Sequence, residues 1–320
     1  MFLKNKNYVY KVYLEKSFSK AAKLLYISQP ALSALVKKEE ESLGTPIFDR
    51  STNPISLTPA GRYYISSIEK IMEIENQLKD FFDSLSSSRQ VTINIGSASY
   101  FCAYILPTII SKIKAVHPNY QINILETSAL DLAKCLKLGT IDFALSTETY
   151  NDNSITCYPL SKEHIILAVP RTFKINQSLL KERLTFDDIL KKRHVYLDCP
   201  TVSIKKFSNE PFILLKRGND IYTRANSIFK NANINPHILL SLDQMLTAYQ
   251  IAKNQKGLTF LRAEMLHHIE PTSNLYFYKI DDGLIERPIN LSFRNNIDLS
   301  EPCQNFLALL KSTPFDTLTI

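Results

Sequence analysis

The sequence predicts a multi-domain chain: an α-rich head, one long helix, and an α/β remainder. Three observations carry this. Short helical patterns dominate residues 1–58. One apolar stripe at steps of three and four runs through 59–85, and strand–helix–strand alternation begins at Val91. At 320 residues the chain is too long for one small core, so two or three compact units are expected.

Composition narrows the class. With 45% apolar and 22% charged residues the chain has the balance of a soluble globular protein. No run approaches the roughly 18 uninterrupted apolar residues of a membrane span, so no membrane partner is expected. The N-terminus lacks an apolar h-region and a small-residue cleavage site, so it does not read as a signal peptide. The cytoplasm is the expected compartment. Cys102, Cys135, Cys157, Cys199 and Cys303 are odd in number and scattered, without Cys-x-x-Cys, and read as free thiols. The net charge is +7. Residues 1–60 hold nine Lys/Arg against five Asp/Glu, a net of +4, so a polyanion's footprint belongs there.

In the head, Ser17 or Ser19 can cap a helix through Ala21, Ala22 and Leu25. After a break at Ile27–Ser28, Ser28 is a good N-cap and Pro30 suits the first turn of a second helix. Leu32, Leu35 and Val36 give that helix a buried face, with Gln29, Ser33 and Lys37 on others. Two short helices with a tight turn, about 18–37, suit a DNA reader whose second helix presents its N-terminal end to base edges. A Gln there can pair with adenine N6 and N7. An ordinary helical hairpin within a core has the same spacing.

The long helix carries Tyr64, Ile68, Ile71, Ile74, Leu78, Phe81, Phe82 and Leu85. Its stripe is close to a heptad, interrupted by Glu75, and marks Ile68, Ile71, Leu78 and Phe82 as dimerisation residues. Phe81 and Phe82 packing on the following domain is the alternative. Ser84–Ser88 reads as a hinge, so the linker occupies 59–88.

These residues together resemble the LysR-type transcriptional regulators. Ser17, Phe18, Ala21, Ala22, Leu25, Ser28, Gln29, Pro30, Ser33, Glu40, Leu43, Gly44, Phe48, Arg50, Leu57, Thr58 and Gly61 match the family signature in register across residues 8–62. Val9, Glu39 and Ile47 depart from it. Glu39 stands where the family has Leu, and predicts looser packing behind the recognition helix or a helix end nearer water. The resemblance implies a winged helix-turn-helix over 1–58, with the wing in 50–61. It implies that Ser28, Gln29, Pro30, Ser33, Lys37, Arg50 and Pro54 form the interface with double-stranded DNA. Gln29 and Pro30 would meet bases, Ser33 and Lys37 bases or phosphates, and Arg50 the backbone, with Pro54 at the wing tip. For any one Lys, a solvated surface charge is the alternative. The resemblance also implies homodimers through the long helix, and tetramers beyond them.

Residues 89–320 follow the family more diffusely. Runs at 91–96, 121–126, 141–146, 164–170, 194–197, 212–215, 237–241, 258–261 and 289–293 read as strands in largely parallel sheets, and 101–116, 129–138, 220–232 and 243–254 as helices. The resemblance implies a type 2 periplasmic-binding-protein-like effector domain: lobe I about 91–164 and 268–320, lobe II about 165–267. Ligands in open α/β sheets bind beyond the strands' carboxyl ends. Those ends carry Ser97, Ser99, Thr127, Ser128, Ser146 and Thr147, with Lys216 and Arg217 to add charge. Hydroxyls near helix N-termini suit an anion, so an organic acid or amino acid is the expected effector. Service as simple N-caps is the alternative for each hydroxyl. Leu261–Arg262 replaces the family's Leu-Pro and predicts unusual chemistry at the pocket edge.

Phosphate-loop, dinucleotide and nucleophile-elbow motifs are absent, and no metal or cofactor is expected. His267 and His268 are adjacent and diverge on a helix, which disfavours chelation. The function expected is a DNA-binding regulator modulated by a small molecule. The rivals are a solute-binding protein or an enzyme of the same lobed fold with an appended helical domain.

Overall fold

The computed structural model describes residues 4–85, 91–295 and 299–315. The chain divides into two units, one over Met1–Arg89 and Lys137–Gly139, the other over Gln90–Leu136 and Thr140–Ile320.

The first unit runs α1 (Lys6–Glu15), α2 (Phe18–Leu24), α3 (Gln29–Leu43), β1 (Phe48–Asp49), β2 (Ser56–Leu57) and α4 (Pro59–Leu85). The Ser17 hydroxyl caps α2 by accepting from Lys20 N, and Ser28 caps α3 by accepting from Ala31 N at 3.3 Å. Pro30 sits in the first turn of α3, and Gly44 closes it in the left-handed region at φ 69°. The Thr58 hydroxyl accepts from Gly61 N at 2.9 Å and opens α4. A Cβ at Gly61 would lie 2.0 Å from the Ile47 carbonyl oxygen, so only glycine lets α4 approach the chain entering β1. β1 and β2 pair antiparallel, Phe48 opposite Leu57, and make the wing. Val9, Ala21, Leu32, Val36 and Ile47 share one core with Tyr64, Ile65 and Ile68 of α4.

Two expectations are corrected here. Ile68 is fully buried in this core and offers nothing to a partner helix. Its place one turn beyond Tyr64 puts it on the face of α4 that closes this core rather than on the outer stripe. Glu39 neither loosens the packing nor reaches water. It is 2% exposed, accepting from Asn5 N at 3.1 Å and from the Tyr64 hydroxyl at 2.9 Å. Burial and this carboxylate raise the Tyr64 hydroxyl far above its ordinary value.

The second unit contains β3 (Val91–Ser97), α5 (Ser99–Tyr104), α6 (Leu106–Val116), β4 (Tyr120–Glu126), α7 (Ala129–Lys137), β5 (Phe143–Ser146) and the 16-residue β6 (Ile155–Pro170). After these come α8 (Phe186–Leu190), β7 (Thr201–Val202), β8 (Pro211–Leu215), α9 (Asp220–Asn231), β9 (His237–Leu242) and α10 (Met245–Lys253). The last elements are β10 (Thr259–Arg262), β11 (Leu275–Ile280), β12 (Glu286–Arg294) and α11 (Glu301–Ser312). β3 pairs parallel with β4 and β5, and β8 parallel with β9. β6 belongs to both lobes: residues 155–164 pair antiparallel with β12, 165–168 with β10 and 167–170 with β11.

The sheets are therefore mixed rather than largely parallel, because β6 and β12 pass between lobes in opposite directions. β11 pairs in the second lobe, so the return to lobe I falls between β11 and β12 rather than at residue 268. The segment 101–116 breaks into α5 and α6 at Ile105, ahead of Pro107. The run 194–197 is not a strand: Arg193–Val195 is a 3-10 helix, followed by exposed Tyr196 and Leu197. All five cysteines are free. Among the described residues no helix is long and apolar enough to cross a membrane.

Glu39→Ala should lower the unfolding free energy by about 1–3 kcal/mol, the cost of leaving a buried donor unsatisfied. Tyr64→Phe should add less on that background than it does alone. A urea double-mutant cycle checks this; strict additivity would show that the two side chains are not coupled.

Candidate nucleic-acid interface and ligand cleft

Leu32 and Val36 anchor α3 in the core and turn its opposite face to solvent. Gln29, Ser33 and Lys37 follow one another at steps of four along that face; Gln29 and Lys37 are exposed and Ser33 is half-buried. Pro30 is exposed beside Gln29. Lys37 meets Glu41 at 3.8 Å, a solvated pair that contributes little and leaves the ammonium available.

The remaining predicted residues divide. Pro54 is exposed between β1 and β2, at the wing tip. The Ser28 hydroxyl is used on Ala31 N and serves as a cap rather than a reading group. Arg50 is turned toward the protein: it donates to Glu40 Oε2 at 3.0 Å, with its guanidinium 5.2 Å from the Phe18 ring centre. Glu40 Oε1 meanwhile accepts from Ile47 N and Phe48 N at 2.8 and 3.1 Å. Arg50 thus closes a clamp on the base of the wing. Tyr26, in the turn before α3, is 96% exposed with φ 55°. Its position inside a break made it invisible to a search for helical faces.

Within the second unit a cleft of about 350 Å³ opens between the lobes. Ser99, Thr127 and Ser128 line it from one side, and Lys216 and Arg217 from the other. The starts of α5, α7 and α9 converge there, each with the positive end of its dipole, and at α9 the Asn219 side chain already accepts from Ile221 N at 3.0 Å. Ser128 donates to Asp131 Oδ2 at 2.7 Å and Lys216 to Asp243 Oδ2 at 2.7 Å. Glu126, Asp220 and Asp243 also line the cleft, so its walls carry both signs.

Three predicted hydroxyls do not line it. Ser97 is fully buried and donates to the Leu145 carbonyl at 2.5 Å, tying β3 to β5. Ser146 is buried and accepts from Glu148 N, and buried Thr147 donates to Asp220 Oδ2 at 3.0 Å. Ser97 and Ser146, at the last residues of β3 and β5, point into the sheet layer, and Thr147 one residue on is held by Asp220, whereas Ser99, Thr127 and Ser128 beyond β3 and β4 reach the cleft.

Behind the cleft lies a cluster assembled from residues far apart in sequence. Glu163 of β6 pairs with both Arg262 of β10 and Arg287 of β12. Asp220 Oδ2 lies 2.6 Å from Arg262 and 2.8 Å from Arg287. The Arg262 guanidinium also sits 5.0 Å from the ring centres of Tyr100 and Phe101. All four charged side chains are more than nine-tenths buried. Burial alone would raise the Asp220 carboxyl, but Arg262 and Arg287 outweigh it and hold it well below the usual range. The unusual residue after Leu261 is thus a structural cation beneath the cleft.

A helix-turn-helix with an exposed reading face and a wing, followed by a two-lobed domain with a polar cleft, defines a ligand-responsive DNA-binding regulator. Comparison with known proteins is more specific. The family described as "Bacterial regulatory helix-turn-helix protein, lysR family" matches residues 3–62, and "LysR substrate binding domain" matches 86–201 and 189–314. The chain belongs to the LysR family of transcriptional regulators. It is 27% identical over 263 residues to the HTH-type regulator YcgK of Bacillus subtilis, covering 81% of this chain and 79% of that one. It is 30% identical over 177 residues to BenM of Acinetobacter baylyi, covering 55% and 58%. Full-length BenM shares the fold with TM-score 0.53 at 23% identity, over 98% of this chain and 99% of that one. CbnR shares it with TM-score 0.56 at 17% identity, over the same 98% and 99%.

Proposed function

We propose that the N-terminal end of α3 reads base edges in the major groove, and that the cleft binds an anionic small molecule that modulates promoter binding. The exposed Gln29–Ser33–Lys37 stripe, backed by buried Leu32 and Val36, carries the first half. The meeting of three helix starts with Lys216 and Arg217 carries the second. Gln29 pairs with a base, Pro30 packs beside it, Ser33 and Lys37 hold bases or phosphates, and Pro54 approaches the backbone. The cytoplasm, where such DNA is found, is the proposed compartment.

The ligand is a small organic acid or an amino acid. Glu126, Asp220 and Asp243 on the cleft walls favour the amino acid, since a zwitterion meets both signs. The chain acts as a homodimer through the outer stripe of α4, where Ile74 and Leu78 are 56% and 53% exposed beyond half-buried Ile71. Phe82, the fourth residue of the expected dimer seam, lies outside the described side chains. Exposed Ile124 and Leu125 on β4, and Ile238 and Leu240 on β9, supply further apolar surface for a tetramer.

Gln29→Ala should reduce discrimination between operator and random duplex by about 1–3 kcal/mol. Lys37→Ala should weaken both duplexes alike and lower the salt slope by about one. Fluorescence anisotropy at several salt concentrations checks both, and unchanged affinities would remove these residues from the interface. Leu78→Asp should turn dimers into monomers in analytical ultracentrifugation; an unchanged mass would move the dimer interface off α4.

For the cleft, thermal-shift and calorimetric titrations should show stabilisation by an amino acid above that by its des-amino analogue. The Ser99→Ala, Thr127→Ala double variant should respond much less. Equal responses in the two proteins would put the ligand elsewhere.

A further inference from the structure

A second cavity, of about 460 Å³, lies on the other side of the crossing strands and includes His164, His194, Glu264, His267 and Glu286 in its lining. These residues come from four places in the sequence. His164 is on β6, His194 in the 3-10 helix Arg193–Val195, Glu264 and His267 in the 3-10 helix Ala263–His268, and Glu286 opens β12. One ligand atom each from His164, His194 and Glu264 lies within 4.8 Å of the others.

We propose that this cavity is a site for a borderline divalent transition metal, zinc or nickel, held by His164, His194 and Glu264. His164 Nδ1 and Glu264 Oε1 are 3.1 Å apart. That is close to the edge of a tetrahedron with zinc–nitrogen bonds of about 2.0–2.1 Å, roughly 3.4 Å. The widest pair must close by roughly 1–1.5 Å to reach that edge, a side-chain rotation rather than a backbone shift.

Two atoms at the site lack any hydrogen-bond partner although buried: His194 Nδ1 and Glu264 Oε2. His194 as a whole is only 5% exposed. Unpaired buried polar atoms are uncommon and call for an ion or a water; here two belong to residues that line one cavity. The outer shell fits as well. His164 Nε2 lies 3.7 Å from Glu286 Oε2, so a small closure brings a carboxylate behind the histidine, the arrangement that orients a metal-binding ring. Lys162 pairs with that same Glu286 at 2.5 Å, so its charge is already compensated. A water can complete the coordination.

Two imidazoles and one carboxylate select nitrogen-seeking cations over magnesium or calcium, which prefer all-oxygen sets.

The test uses the full chain, stripped with a chelator. Calorimetric titration with zinc chloride should show one equivalent per chain, and magnesium chloride no heat. Cobalt loading should give a visible spectrum of nitrogen and oxygen ligation without a thiolate charge-transfer band. His194→Ala and Glu264→Gln should each weaken zinc by about tenfold or more, as first-shell losses do at least as strongly as outer-shell ones. No stoichiometric uptake by the wild type would overturn the site, as would a thiolate band or undiminished affinity in Glu264→Gln. That isosteric variant carries the test if His194→Ala does not fold.

Discussion

Four charged side chains buried where β6 leaves the first lobe set the terms for the second unit. Glu163, Arg262, Arg287 and Asp220 come from β6, β10, β12 and α9, so they meet only if both lobes and both crossing strands are formed. Replacing such a group wholesale by apolar residues can be neutral, but removing one member typically costs about 3–5 kcal/mol because its partners stay buried and unpaired. The cluster therefore specifies the arrangement more than it adds stability. The depressed Asp220 carboxyl contributes stability that is fully present above the unfolded value near about 3.9. It is lost only as the pH falls through the much lower folded value. At neutral pH the Asp220 carboxylate is ionised.

A smaller version of the same constraint holds the first unit. Glu39 occupies a position that an apolar residue could fill by packing alone, yet it is buried with two directed donors. One is the backbone at the start of α1, the other a side chain of α4. A leucine there would touch the same neighbours without fixing their orientation. The carboxylate instead ties both ends of the unit to α3, the helix proposed to read DNA with its outer face. Glu40, next in sequence, repeats the device on the wing side through Ile47, Phe48 and Arg50.

How much of this was legible depends on the range of each interaction. The long helix at 59–85 and the strand at 91–97 are visible because periodicity and capping are local signals. The wing is visible through Thr58 and Gly61, whose cap and close approach need those residue types. β11 and the first half of β6 gave weaker signals: their sides are defined by strands more than a hundred residues away. The same holds for the sites. Ser99, Thr127 and Ser128 can be placed from strand ends, whereas Ser97 looks identical until its bond to Leu145 is seen. Asp220 and Arg262 carry no local mark, and neither does a pairing of His164 with Glu264, a hundred residues on.

Burial decides what each charge in this chain does. Lys37 and Lys216 sit in solvated pairs worth little to stability, and a phosphate or carboxylate can exchange for Glu41 or Asp243 at small cost. Arg50 is intermediate, half-exposed yet already bound by Glu40 and Phe18, so its contribution is the shape of the wing. Arg262 and Arg287 are at the other limit, where no ligand can compete for them without leaving Glu163 unpaired. Asp220 joins the two regimes, since it lines the cleft and closes the buried cluster. A ligand in the cleft, as proposed, would meet one carboxylate whose charge and position are set by the crossing strands. The discrimination it experiences is therefore built by the fold, while its affinity is left to the exchangeable cations around it.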